Sequence, residues 1–227
     1  MGVDIKKIIG QAVLGIVVVA VPLFLAAGTL AWGAGWVFLA LFTGCTSAYA
    51  AWMYVKRPDL LAERMKVAQA DQKTWDKVFL STLLVYAIAW LIVMPLDAAR
   101  FHWSQMPLWL QVIGGVLFLA SFLMYYLTGR ENPYMASVVR VQKERGQTVI
   151  STGPYHYVRH PMYSGSLLLF LGAPLLLGSW YGVLLALGAA LLLAWRSTME
   201  EKVLRADLHG YDSYMAQVKY RLIPYVW

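Results

Sequence analysis

Six apolar runs, set apart by segments that hold nearly all the charge, constrain this chain more than any other feature. They cover about 8–31, 32–55, 78–96, 108–128, 161–177 and 181–196. Several can cross a hydrocarbon core of roughly 30 Å, which takes about 20 residues of helix. Of the 227 residues, 60% are hydrophobic and 14% charged, and the mean hydropathy is +0.57. A soluble domain is rarely so apolar. The expected fold class is an all-α integral membrane protein with five to six transmembrane helices. The last two runs are short and joined by Gly178-Ser179-Trp180, which predicts a tight C-terminal helical hairpin. A five-span arrangement would merge that hairpin or leave one arm re-entrant.

The ends of the runs carry orientation signals. Lys6 and Lys7 followed by apolar residues look like a signal peptide. The run is too long for one and a second span follows at once, so it reads as a retained first helix. Gly28 to Gly35 is a tight turn, with Trp32 and Trp36 at interfacial positions. With the N-terminus inside, six spans, and Arg196 at the end of the last run counted with the C-terminal segment that it adjoins, 18 of the 19 Lys and Arg residues fall in the 56–77 and 129–160 segments and the two termini. Only Arg100 falls on the other side. The positive-inside rule then puts both termini and the two long polar segments in the cytoplasm. The net charge of +7 is explained by these loops. No basic helix face or aromatic–basic motif points to nucleic acid. Cys45 stands alone, so there is no disulfide framework. Pro22, Pro95 and Pro174 are expected kinks inside spans. Asp97 and His102 mark an interface.

The densest chemistry lies in Gly153-Pro154-Tyr155-His156-Tyr157-Val158-Arg159-His160-Pro161-Met162-Tyr163-Ser164-Gly165. Pro161 suits the first turn of a helix and disfavours helix at the residue before it. His160 is therefore expected near an N-cap, where backbone N–H groups and Arg159 attract anions. The i, i+4 spacing of His156 and His160 resembles a metal pair, but such a pair shares a face only within a helix and no third ligand is evident. Plainer readings stand beside the functional one. Arg159 suits a charge anchor, His160 a cap and the tyrosines an interfacial belt. Glu200-Glu201 suits a solvated helix end, although acids are disfavoured at a helix C-terminus.

Gly153-Pro154-Tyr155, Arg159-His160-Pro161, Tyr163 and Gly165, followed after one hairpin by Glu200-Glu201, resemble the isoprenylcysteine carboxyl methyltransferase family. The phospholipid methyltransferases share part of the pattern. Leu208-His209-Gly210-Tyr211-Asp212-Ser213-Tyr214 and Arg221-Leu222-Ile223-Pro224 resemble that family's tail, with His209 where it usually has Phe. The resemblance covers about 129–227. It implies a core of that extent behind N-terminal helices over 1–128, in one integrated domain. It also implies an S-adenosylmethionine-dependent methyltransferase with a cytoplasmic cofactor pocket and no Rossmann domain. In keeping with the last point, the chain has no Gly-x-Gly-x-x-Gly with an acid about 20 residues on.

By the same resemblance, the cofactor contacts are Arg140, Gln147, Thr148, Val149 and Ile150 (these four largely through backbone), Tyr155, His160, Pro161, Met162, Tyr163 and Glu201. Arg196 is the candidate for orienting the substrate, one residue before the position, Ser197, where the family has its arginine. The implied acceptor is a lipophilic small molecule or lipidated substrate, such as the carboxyl group of an isoprenylated cysteine. Phospholipid amines and small thiols are the alternatives. A reductase of the sterol-reductase type, binding NADPH, is a further one, but no basic cluster for a 2′-phosphate is evident. A carboxylate or thiolate acceptor needs no general base; an amine would, with His160 or Glu200 as candidates.

Overall fold

A computed structural model describes residues 5–65 and 72–227, so part of the basic 56–77 segment lies outside the described residues. Eight α-helices and no strand are found among the described residues. Helix α1 (Ile5–Ala27) turns at Gly28, whose φ of 69° needs a residue without Cβ, into α2 (Gly33–Lys56). Pro58 opens the short α3 (Pro58–Arg64) in its first turn. Then come α4 (Thr74–Pro95), α5 (Leu108–Glu131), α6 (Pro161–Leu177), α7 (Trp180–Asp207) and α8 (Tyr211–Gln217). Five of these helices are long and apolar enough to cross a membrane. The sixth apolar helix, α6, has 17 residues and so spans about 25 Å at 1.5 Å per residue. The protein is an integral multi-pass membrane protein.

The central packing unit is the antiparallel pair α5–α6. A Cβ on Gly114 would collide with the backbone nitrogen of Leu176, and one on Gly172 would lie 2.7 Å from the backbone nitrogen of Phe118. The two backbones approach so closely because only glycine leaves room, the usual device where lipid removes any hydrophobic drive between helices. Helix α7 runs back against α6 and α4, with the Trp90 indole donating to the Gly182 carbonyl at 3.1 Å. Leu23, Phe79, Met94, Phe118 and Leu177 fill the space between the helices and are almost fully buried.

Two boundaries differ from the sequence reading. Helix α4 starts at Thr74 rather than Val78, with Asp76 in its first turn, a favourable place for an acid. Helix α7 continues eleven residues past Arg196, to Asp207. Nothing in Ser197–Asp207 breaks a helix; the stop comes at Leu208, whose backbone is extended, and Gly210, with a φ of 83°, turns the chain into α8. Pro95 is followed by a π-helical turn, Leu96–Arg100. Asp97, read as an interface marker, is fully buried there. It accepts hydrogen bonds from Ser104 and Ser179 (each 2.6 Å) and from the backbone of Tyr181, so it caps the start of α7.

Candidate active site

At the other end of the bundle, the 132–160 segment, the first turn of α6, the second half of α7 and α8 wall a cavity. It encloses about 870 Å³, its open mouth included. Every expected contact from Arg140 through Tyr163 lines it: Arg140, Gln147, Thr148, Val149, Ile150, Tyr155, His160, Pro161, Met162 and Tyr163. Arg196 lines it too; Glu201 does not.

Helical phase explains that last fact. Residues 196, 200, 204 and 208 recur every four positions and present Arg196, Glu200, Leu204 and Leu208 to the cavity. Glu201 sits about 100° further round the helix and points under the cavity wall. Its Oε1 accepts from Arg159 Nε (2.7 Å) and lies 3.2 Å from His160 Nε2, and its Oε2 accepts from Arg221 Nε (2.8 Å). Its side chain is only 4% exposed. Glu201 thus clasps α7, the loop and the tail together. Glu200 is the carboxylate at the cavity, accepting from the Tyr163 hydroxyl at 2.5 Å. The Tyr163 ring stacks on His160 with centroids 5.4 Å apart and planes 9° apart.

The start of α6 is not the open anion site expected. Arg159 N–H and His160 N–H donate to the carbonyls of Tyr220 and Arg221, each at 2.9 Å. The Arg159 guanidinium is taken up by Glu201 and by the carbonyls of Val218 and Lys219. Arg196 is likewise matched in charge, by the fully buried Asp76 at 3.0 Å. It also donates to the Ser137 carbonyl and lies over the Phe79 ring. Asp76 in turn accepts from Gln72 and from the backbone of Val139, joining α4 to the cavity wall. This pair joins residues 120 positions apart, and no local pattern announces it. His156 is exposed while His160 is buried.

Three sets of polar groups are left for a ligand. The backbone N–H groups of Thr148, Val149 and Ile150 donate to no protein group among the described residues. Arg196 Nε and the Tyr211 hydroxyl are buried without a partner although both residues line the cavity. Glu200 keeps partial exposure beside them. Such unpaired buried groups are costly unless a ligand or water meets them. Burial raises the phenol pKa of Tyr155, Tyr211 and Tyr214 above the ordinary range, so all three remain neutral donors at physiological pH. Tyr155 is held by Asn132, which donates to its hydroxyl at 2.7 Å, and by Tyr214, which donates to its carbonyl at 2.7 Å.

Fold and site define a multi-pass helical membrane protein with a ligand cavity at one end of the bundle, built from the loop before a helical hairpin and covered by the C-terminal segment. Comparison with known proteins places that class more closely. The family model for phospholipid methyltransferases matches residues 109–208, from the first turn of α5 to the end of α7. The structure is similar to that of the eukaryotic intramembrane Ras methyltransferase, isoprenylcysteine carboxyl methyltransferase. The TM-score is 0.56 at 16% identity, over 99% of this chain and 88% of that one. At that identity the likeness is one of fold. No curated protein matches the sequence. Both matches agree with the resemblance carried by the Arg159-His160-Pro161 loop and the Glu200-Glu201 pair.

Proposed function

We propose that this protein is an S-adenosylmethionine-dependent methyltransferase that modifies a lipophilic acceptor at the membrane surface. The observation that carries the reading is the cavity itself, whose donor set suits that cofactor and, Tyr211 apart, lies within the stretch matched by the methyltransferase family model. Glu200 supplies an anion for a cationic sulfonium or ammonium. The free N–H groups of 148–150 suit the edge of a purine. Arg196 Nε and the Tyr211 hydroxyl provide donors for a carboxylate or ribose oxygens. The cofactor supplies a methyl group activated by its positive sulfur.

The chain's own contribution is orientation and exclusion of water. Tyr155, Leu204 and Leu208 form a dry wall, and the Arg159–Glu201–Arg221 clasp holds the covering tail in place. A carboxylate acceptor needs no base. An amine acceptor must lose a proton, and Glu200, paired with Tyr163, is positioned to receive it. The fold likeness supports the carboxyl group of an isoprenylated cysteine as acceptor; the family model supports a phospholipid amine. Among the described residues, Arg100 is the only Lys or Arg at the end of the bundle away from the cavity, and by the positive-inside rule this supports a cavity that faces the cytoplasm.

The test is calorimetric titration of the detergent-solubilised protein with S-adenosylhomocysteine, followed by turnover with N-acetyl-S-farnesylcysteine and with phosphatidylethanolamine. Binding with turnover of either acceptor is expected. NADPH binding in place of S-adenosylhomocysteine would overturn the reading.

A further inference from the structure

The arginines at the cavity end of the bundle nearly all have oxygen acceptors. Arg57 donates to carbonyls at the end of α5, Arg130 to Glu131, and Arg145 to Gln142. Arg140 pairs with Glu63 and Glu144, Arg205 with Asp212, and Arg221 with Glu201. Arg159 and Arg196 are accounted for above. Arg64, in the last turn of α3, is the exception: among the described residues, its only acceptor is the Met162 sulfur at 3.5 Å. Five guanidinium N–H donors against one thioether, a weak acceptor, are largely unmet. The side chain is half-buried, so bulk water does not surround it.

Its surroundings point to an amphiphile. Met162 and Met135 belong at once to the cavity lining and to an apolar cluster with Met53, Leu60 and Leu61 that Tyr49 and Trp52 pack against. Arg64 therefore lies across Met162 from the cavity, on the side where α2 and α5 meet. There Trp52 stacks on Tyr49 and meets Tyr126 edge-on, and Val55 and Leu123 lie exposed on the same two helices. Methionine is pliable enough to let a group pass.

We propose that Arg64 is the specificity residue for the methyl acceptor. It binds an oxyanion oxygen of the acceptor's headgroup, either of a phosphate next to the reacting amine or the one oxygen of a carboxylate that does not react, while the acceptor's chain lies along the α2–α5 surface and its reactive atom faces the cavity past Met162. This rests on the methyltransferase reading for what happens next, but the anion site itself can be tested apart from it. A guanidinium is suited to either oxyanion through paired, charge-assisted hydrogen bonds.

The experiment is equilibrium binding to the full chain in nanodiscs of uncharged lipid. The probes are dihexanoyl phosphatidylethanolamine and N-acetyl-S-farnesylcysteine, each against its uncharged counterpart, dihexanoylglycerol and the cysteine methyl ester, with inorganic phosphate as the free anion. Wild type should prefer at least one charged amphiphile by about tenfold or more, as charge-assisted bonds do. Which pair shows the preference identifies phosphate or carboxylate. Arg64→Gln should abolish the preference and leave affinity for the uncharged partner and for S-adenosylhomocysteine unchanged; Arg64→Lys should keep part of it. A preference that survives in Arg64→Gln, its lack in wild type, or equal competition by free phosphate overturns the proposal. An Arg64-dependent preference in a protein that does not bind S-adenosylhomocysteine sustains the anion site and removes the methyltransferase reading instead.

Discussion

Replacing Glu201 by Gln separates two roles that adjacent glutamates can hold. The native carboxylate is nearly buried and bridges Arg159, His160 and Arg221 at 2.7, 3.2 and 2.8 Å. Glutamine keeps the shape but removes the charge that balances two guanidinium groups. Losing one member of a buried ion pair typically costs about 3–5 kcal/mol, because the remaining charge stays buried. Arg159 retains its carbonyl acceptors and Arg221 is about a quarter exposed, so the lower half of that range is the better expectation here. At about 2–4 °C per kcal/mol for a chain of this size, the midpoint of thermal unfolding should fall by about 6–16 °C. The assay is tryptophan-fluorescence melting in detergent, with S-adenosylhomocysteine affinity measured well below the transition. Glu201→Gln should lower the midpoint and leave affinity within about threefold. Glu200→Gln should do the reverse, with affinity falling about tenfold for the loss of one charged hydrogen bond and the midpoint hardly moving. If Glu201→Gln abolishes binding in folded protein while Glu200→Gln binds normally, the assignment of roles by helical phase is refuted.

Other substitutions test other parts of the structure. Gly172→Val should destabilise by about 3 kcal/mol or more, since no Cβ fits between α5 and α6; a melting point like wild type would refute that contact. Asp76→Ala should cost about 3–5 kcal/mol by stranding Arg196, and Asp76→Ala combined with Arg196→Met should recover much of it in the same melting assay. Tyr211→Phe removes a buried hydroxyl that has no partner. It should leave stability unchanged or higher while S-adenosylhomocysteine affinity falls about three- to tenfold by calorimetry, as for one lost hydrogen bond. With Cys45→Ala as background, a cysteine at Lys143 should react with an impermeant maleimide only from the cytoplasmic side of sealed vesicles, and one at Trp103 only from the other.

The spans and the loop were legible in the sequence because each rests on local signals. Apolar runs report helices of membrane length, and Pro161 fixed the start of α6 to the residue. The loop from Arg140 to Tyr163 was legible through its motif, and it does form one cavity wall. The length of α7 was not legible, because polarity after Arg196 marks the end of the apolar run and not of the helix. In fact a membrane helix that leaves the lipid can simply continue into a soluble wall. That same continuation sets the phase that turns Glu200 to the cavity and Glu201 beneath it; the four-residue recurrence of Arg196, Glu200, Leu204 and Leu208 was the signal that could have told them apart. The Asp76–Arg196 pair and the bonds from Arg159 and His160 to the tail were not legible. They join segments 120 and about 60 residues apart, and only the packed fold brings these together.

The pairing of Arg159 and His160 with Tyr220 and Arg221 also has a meaning for biosynthesis. The chain emerges from the ribosome in order, so α6 and α7 are made while the Arg159 guanidinium still lacks the carbonyls of Val218 and Lys219. The cavity wall can close only after translation has passed Arg221. Until then a nascent chain has its helices but not the bonds that hold the cavity wall in place.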